Sequence, residues 1–163
     1  FSNIYKIPCS ALRFFTVYGP YGRPDMALYK FTDSILNNKK INLYNKGNHV
    51  RDFTFIDDVI NYIVKLIPKF PKGKMPFEVY NIASGKPKTL RFFLKKIEES
   101  LNKKSMIKKI PMQKGDVYKT HADIKKIKIK LNMCFYTKLE IGIEKFTKWF
   151  KEYNKWKTKK FQR

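Results

Sequence analysis

The chain has 163 residues, 43% of them apolar, and carries 36 Lys and Arg against 13 Asp and Glu, a formal charge of +23. That length and apolar share suit one domain with a core of its own, and no apolar run approaches the ~20 residues of a bilayer-spanning helix, so no membrane partner is expected. Its two cysteines, Cys9 and Cys134, stand far apart without CxxC or Cys/His spacing, which argues against a metal centre and fits a reducing compartment; each is expected as a small buried hydrophobe.

The predicted elements alternate strand and helix. Leu12, Phe14, Phe15 and Val17 form a short apolar run that stops at Tyr18-Gly19-Pro20, the pattern of a buried strand ending in a turn. Pro24 and Asp25 lead into a helix over Met26 to Asn37, with Leu28, Phe31, Ile35 and Leu36 on one face and Asp25 placed to cap it. Ile41 to Tyr44 alternates as a strand, Asn45-Lys46-Gly47 turns, and RDFTFI (Arg51 to Ile56) is expected as the hairpin partner. Asp57-Asp58 then caps a helix burying Val59, Ile63, Leu66 and Ile67, which Pro68 and Pro71 stop.

Glu78 to Ala83 reads as another strand, Ser84-Gly85-Lys86-Pro87 as its turn, and Thr89 as the cap of a helix with Leu90, Phe93, Leu94, Ile97 and Leu101 inward. Met106 to Met112 suits an edge strand before Gly115-Asp116. A short helix near Asp123 to Leu131 and a longer one from Thr137 to about Trp156 close the chain, the latter burying Ile141, Ile143, Phe146, Trp149 and Phe150. This is an α/β pattern.

In open α/β sheets ligands bind beyond the carboxyl ends of the strands, and the residues leaving the first strand are Thr16, Tyr18, Arg23 and Asp25. A hydroxyl and a guanidinium there can converge on one anion, and the planar fork of Arg suits a carboxylate. A surface pair between Arg23 and Asp25 accounts for the same residues equally well. His49 and His121 have no partner at ligand spacing and are expected on the surface or in supporting positions, and Asp57-Asp58 is better explained by capping than as an acid/base pair. The charge is carried by scattered lysines with only five Arg and no nucleic-acid motif, so it reads as compositional drift, with Asn154 to Arg163 the densest basic stretch.

Four stretches, TVYGPYGRPDMA (Thr16 to Ala27), RDFTFIDDV (Arg51 to Val59), YNIASGKP (Tyr80 to Pro87) and PMQKGDVYKTHAD (Pro111 to Asp123), resemble in order and spacing the extended short-chain dehydrogenase/reductases acting on nucleotide sugars, and among them the UDP-glucuronate 4-epimerases. The likeness covers nearly the whole chain. It implies the C-terminal part of a Rossmann-like parallel sheet plus a small mixed α/β substrate-binding subdomain. Residues 1–24 and 57–103 would associate with the sheet, 25–56 and 104–136 would mainly bind substrate, 137–156 would form a C-terminal helix and 157–163 a basic tail. The family's glycine-rich dinucleotide fingerprint and its Tyr-x-x-x-Lys pair are not in the sequence and are expected before Phe1, with Phe1 to Ile7 the end of the helix carrying that pair. The chain is therefore expected to be a C-terminal fragment with no catalytic residue of its own, inactive alone.

The resemblance also implies roles. Thr16 and Arg23 would hold the C6 carboxylate of the sugar, and Tyr18 and Pro20 would lie beside the nicotinamide of NAD. Arg51 would face the UDP diphosphate, a solvated pair with Asp52 being the plainer reading. Asp116 would hold the ribose hydroxyls as an acceptor-only carboxylate, against a simple turn Asp. Gln113 stands where relatives acting on neutral sugars have Arg, as in the glucuronate branch. The parent is expected to be a cytoplasmic homodimer that interconverts UDP-glucuronate and UDP-galacturonate through a 4-keto sugar, with no specific nucleic-acid partner. The alternatives are another UDP-sugar epimerase or decarboxylase, or a non-catalytic basic module binding nucleic acid.

Overall fold

The computed structural model describes the backbone of residues 1–161 and the side chains of 1–156, so the tail expected over 157–163 lies outside the described side chains. In chain order the elements are α1 (Ser2–Tyr5), β1 (Cys9–Phe14), β2 (Thr16–Tyr18), α2 (Ala27–Leu36), β3 (Lys40–Tyr44), β4 (Val50–Arg51) and β5 (Phe53–Phe55). There follow α3 (Ile56–Leu66), β6 (Phe77–Ile82), β7 (Lys88–Thr89), α4 (Leu90–Leu101), β8 (Met106–Ile110), α5 (Lys125–Leu131) and α6 (Leu139–Phe161). The chain forms two compact units: residues 1–17, 51–87 and 120–137 make the first, and 18–50, 88–119 and 138–163 the second.

In the first unit β1 and β6 pair in parallel, from Cys9 opposite Phe77 to Phe14 opposite Ile82, as the sequence predicts for one parallel sheet. Tyr80, Ile82 and Ala83 of the β6 segment pack with Val59, Tyr62 and Leu66 of α3 and with Ala122, Ile124, Ile127 and Leu131. The spacing of Val59, Tyr62 and Leu66 is that of one helix face. Ile67, expected on that face, is 69% exposed because the chain leaves the α-helix there for a 3-10 turn over Ile67–Lys69. The strand expected to be buried, β1, is not: Phe14 is 50% exposed, since among the described residues β6 is the only strand paired with β1. Cys134, expected as a buried hydrophobe, is exposed in the loop after α5, with Cys9 half-buried. The Tyr62 hydroxyl, whose pKa is raised chiefly by burial and then by the neighbouring thiol, donates to Cys134 Sγ at 3.5 Å.

Two carboxylates tie this unit together, neither as expected. Asp58 lies in the first turn of α3 but caps nothing; buried, it accepts from the Thr137 amide at 2.7 Å and the Thr137 hydroxyl at 2.9 Å. Asp52 is fully buried. Its carboxylate accepts from the Ser84 hydroxyl (2.6 Å) and from the amides of Ser84 (3.1 Å), Gly85 (3.1 Å) and Ala122 (3.3 Å).

In the second unit Leu28, Phe31 and Ile35 of α2 are buried as predicted, with Thr32 buried beside them and Leu36 half-buried, and Phe93, Leu94, Ile97 and Leu101 of α4 are buried as predicted. Thr89 caps α4 as predicted, its hydroxyl accepting from the Phe92 amide at 3.1 Å. Asp25 does not cap α2, whose N-cap is Met26 without a side-chain bond; its carboxylate is turned to Arg23. On α6 the buried stripe is Leu139, Ile143, Phe146 and Phe150, whereas Ile141 is 46% exposed: two residues from Leu139, it sits about 200° around the helix. The expected hairpin after β3 is replaced by a parallel pairing of β3 with β8, Lys40 opposite Met106 through Tyr44 opposite Ile110. Asn45 and Lys46, both at positive φ, form a short 3-10 turn, and β3 pairs instead with a strand that follows α4. A parallel pairing of this kind requires a long crossover.

Two stability predictions follow from this packing. Asp52→Ala leaves the Gly85 and Ala122 amides and the Ser84 hydroxyl without their buried acceptor, the Ser84 amide keeping only Thr54 Oγ1 at 3.2 Å, and should cost about 3–5 kcal/mol; urea titration by far-UV circular dichroism measures it, and Asp52→Asn should recover little because its NH2 faces donors. Gly85 has φ +69°, and a Cβ there would stand 2.7 Å from Ile124 Cδ1. Gly85→Ala should therefore cost about 2 kcal/mol, part backbone strain and part overpacking, and Gly85→Ala with Ile124→Val should regain the packing part in the same titration.

Candidate functional site

Within the first unit, β1 and β6 run in the same direction and end together at Phe14 and Ile82. Beyond those ends lie Thr16 and the Ser84-Gly85 turn. The Thr16 amide donates to the Asp52 carbonyl at 3.2 Å, and the Asp52 side chain grips Ser84 and Gly85. One carboxyl-end edge therefore gathers Thr16, Arg51 and the turn after β6, which is where an α/β sheet presents a ligand site. Thr16 and Arg51 are both half-buried. The plainer reading of Arg51 as a solvated partner of Asp52 does not hold, because the Asp52 carboxylate is out of water and committed to backbone amides.

The second unit holds the other residues singled out from the sequence. Tyr18 is buried, its ring edge-on to Phe93 at 5.8 Å, and leads into a turn in which the Gly22 amide donates to Gly19 O at 3.2 Å; Pro20 in that turn is half-buried. Arg23 is three-quarters exposed and pairs through Nη2 with Asp25 at 2.9 Å, with the Met26 sulfur at 3.8 Å from the same nitrogen. This is the surface pair that the residues alone allowed. An exposed pair of this kind is worth about 0–1 kcal/mol, and only Nη2 among the guanidinium nitrogens has a partner among the described residues. An arriving carboxylate would meet little resistance.

Gln113 to Asp116 form a turn closed by the Asp116 amide on Gln113 O at 3.3 Å, with Gly115 at φ +82°. The Asp116 side chain is 33% exposed, and its Oδ2 lies 3.4 Å from His49 Nε2. His49, expected on the surface or in a supporting position, is buried at 3% exposure. Sequence reasoning passed over both His49 and Asp52 as site-forming residues. The signal available for Asp52 was an acid between aromatic and β-branched neighbours in a strand, where a charge persists only if it is bonded. Among the described residues no group of three or more His, Cys, Asp and Glu side chains could hold a metal ion, and no helix is long and apolar enough to cross a membrane.

Residues 1–83 match the NAD dependent epimerase/dehydratase family. An uncharacterised protein of Methanocaldococcus jannaschii is 44% identical over 156 residues, 96% of this chain and 47% of that protein. A probable UDP-glucuronate 4-epimerase of Rhizobium meliloti is 35% identical over 165 residues, 92% of this chain and 48% of that protein. The chain thus spans about half the length of the curated relatives it matches. Among solved structures, the UDP-glucuronic acid 4-epimerase of Bacillus cereus in complex with UDP-glucuronic acid and NAD aligns with a TM-score of 0.84 at 30% identity, over 93% of this chain and 48% of that one. The parallel pairing of β1 with β6 and the Rossmann-like α/β class expected from the sequence agree with that alignment. The chain belongs to the NAD dependent epimerase/dehydratase family.

Proposed function

We propose that this chain is the sugar-nucleotide-binding part of an NAD-dependent epimerase that interconverts UDP-glucuronate and UDP-galacturonate. The observation that carries the reading is the carboxyl-end edge of the first unit, where the buried Asp52 carboxylate fixes both the Arg51 segment and the Ser84-Gly85 turn beside Thr16. A hydroxyl and a guanidinium held at such an edge suit a diphosphate and its sugar. The similarity to structures described with UDP-glucuronic acid supports the choice of ligand.

Reversible hydride transfer at C4 of the sugar is the chemistry that bound NAD would supply. The residues present fit a flank of its nicotinamide rather than a full pocket, since Pro20 is half-buried and the Tyr18 ring is committed to Phe93. What this chain contributes is binding and orientation. Arg51 would neutralise the diphosphate, Asp116 would accept from the ribose hydroxyls, and Gln113 would border the same loop without adding a second cation. Thr16 and Arg23 would hold the C6 carboxylate. Oxidation at C4 makes a β-keto acid, which loses CO2 readily, so a fixed carboxylate also opposes decarboxylation. None of these residues is assigned the role of general base.

Arg23 decides the sugar in this reading. Calorimetric binding of UDP-glucuronate and UDP-glucose should show that Arg23→Ala removes roughly 1.5–3 kcal/mol from the acidic sugar and little from the neutral one, about ten- to a hundred-fold in their ratio. Arg23→Lys should restore little, lacking the bidentate fork. Equal weakening of the two sugars would make Arg23 a loop-shaping residue and remove the glucuronate assignment.

A further inference from the structure

His49 is the one buried imidazole of the second unit, and its contacts are not explained by packing alone. Its Nε2 has no well-aligned hydrogen bond among the described residues, yet Asp116 Oδ2 stands 3.4 Å away. The separation falls within ion-pair range without meeting hydrogen-bond geometry, and a small rotation of the carboxylate would turn the approach into an aligned bond. A buried polar edge left unpaired is costly, which gives that rotation its driving force.

The backbone holds the two groups in place. The Leu90 amide at the start of α4 donates to His49 O at 2.8 Å, and the Val50 amide donates to Tyr118 O at 2.9 Å. Val50 also bridges in parallel to Lys119, and the Tyr118 ring lies edge-on to the imidazole at 6.4 Å between centroids. The residue after His49 is thus stitched to the residues just after Asp116, while Gly115 bends the loop that carries the carboxylate. Asp116 sits on a turn, one-third exposed, and would otherwise lose rotamer freedom on accepting a ligand. A fixed partner on one oxygen removes that cost in advance.

We propose that His49 is the positioning residue for Asp116, its buried Nε2–H holding one carboxylate oxygen so that the other is aimed at the vicinal hydroxyls of a uridine nucleotide's ribose. This rests on the assignment of Asp116 to the ribose in the proposed function.

The test compares binding of uridine 5′-diphosphate and its 2′,3′-dideoxy analogue to the full 163-residue chain, by calorimetry, with a thermal melt of each variant. Because the analogue lacks the hydroxyls, a residue that only supports the fold changes both affinities alike. His49→Leu should lower the preference for the hydroxylated nucleotide about five- to tenfold with the analogue's affinity unchanged, while His49→Gln, which keeps a side-chain N–H, should stay within about twofold of the parent. Asp116→Ala should abolish the preference, and adding His49→Leu to it should change nothing more, since the two act as one unit. If Asp116→Ala abolishes the preference and His49→Leu leaves it intact, or weakens both nucleotides equally, the positioning role is overturned while the ribose assignment stands. If Asp116→Ala itself leaves the preference intact, the ribose assignment fails and the positioning role with it.

Discussion

A single buried carboxylate, that of Asp52, holds together three segments of the first unit that are far apart in sequence. It accepts two bonds from Ser84, one from Gly85 and one from Ala122, while its own carbonyl receives the Thr16 amide. An acid side chain in so dry a place is tolerated because its oxygens are filled by donors. The same satisfaction fixes where the chain goes after β6 and before α5, while the main-chain carbonyl of Asp52 holds the segment after β1. Thr16 and Arg51 owe their positions to a neighbour that is not itself offered to a ligand, and Gly85, left-handed at φ +69°, leaves no room for a Cβ against Ile124.

The charge of the chain bears on how such a site would be recognised experimentally. A formal charge of +23 attracts any phosphate compound over the whole surface, so affinity for a nucleotide sugar is by itself weak evidence for a site. Specificity has to come from groups held in place. Arg23 is held least, paired with Asp25 in the open, and this suits a residue that exchanges a surface partner for a carboxylate at small cost. Asp116 lies at the other extreme, on a bent loop against a buried imidazole.

Much of this was legible from residue patterns, and most of what was not has a common cause. The helical faces of α2 and α4 follow their apolar spacing, and Thr89 caps α4 as a Thr before an apolar run should. The parallel sheet to which β1 and β6 belong was implied by the family resemblance and not by the local pattern of either strand. Ile67, Ile141 and the Asp25 cap depart from expectation for local reasons, but the failures that bear on topology and site are non-local. Asn45-Lys46-Gly47 has the composition of a hairpin turn, but the partner of β3 lies beyond α4, and no local pattern announces it. Asp58 looked like a cap because its neighbours form a helix start, while its actual partner, Thr137, is 79 residues away. His49 showed no ligand-like spacing because the group it meets sits on a turn far along the chain. For the site, residue types suggested anion chemistry at Thr16 and Arg23 and the family resemblance added Asp116, whereas the contacts of Asp52 with the Thr16 amide and of His49 with Asp116 became visible only in three dimensions.

The measurement that bears most directly on the central claim is a map of amide chemical-shift changes in the isotope-labelled chain on adding UDP-glucuronate at physiological salt, repeated with Asp52→Ala. The account predicts that Thr16, Arg51 and Asp116 shift together and saturably, and that Asp52→Ala removes the response at Thr16 and Arg51. Shifts confined to the lysines of α6, non-saturating and lost with added salt, would show attraction by net charge alone and would contradict it.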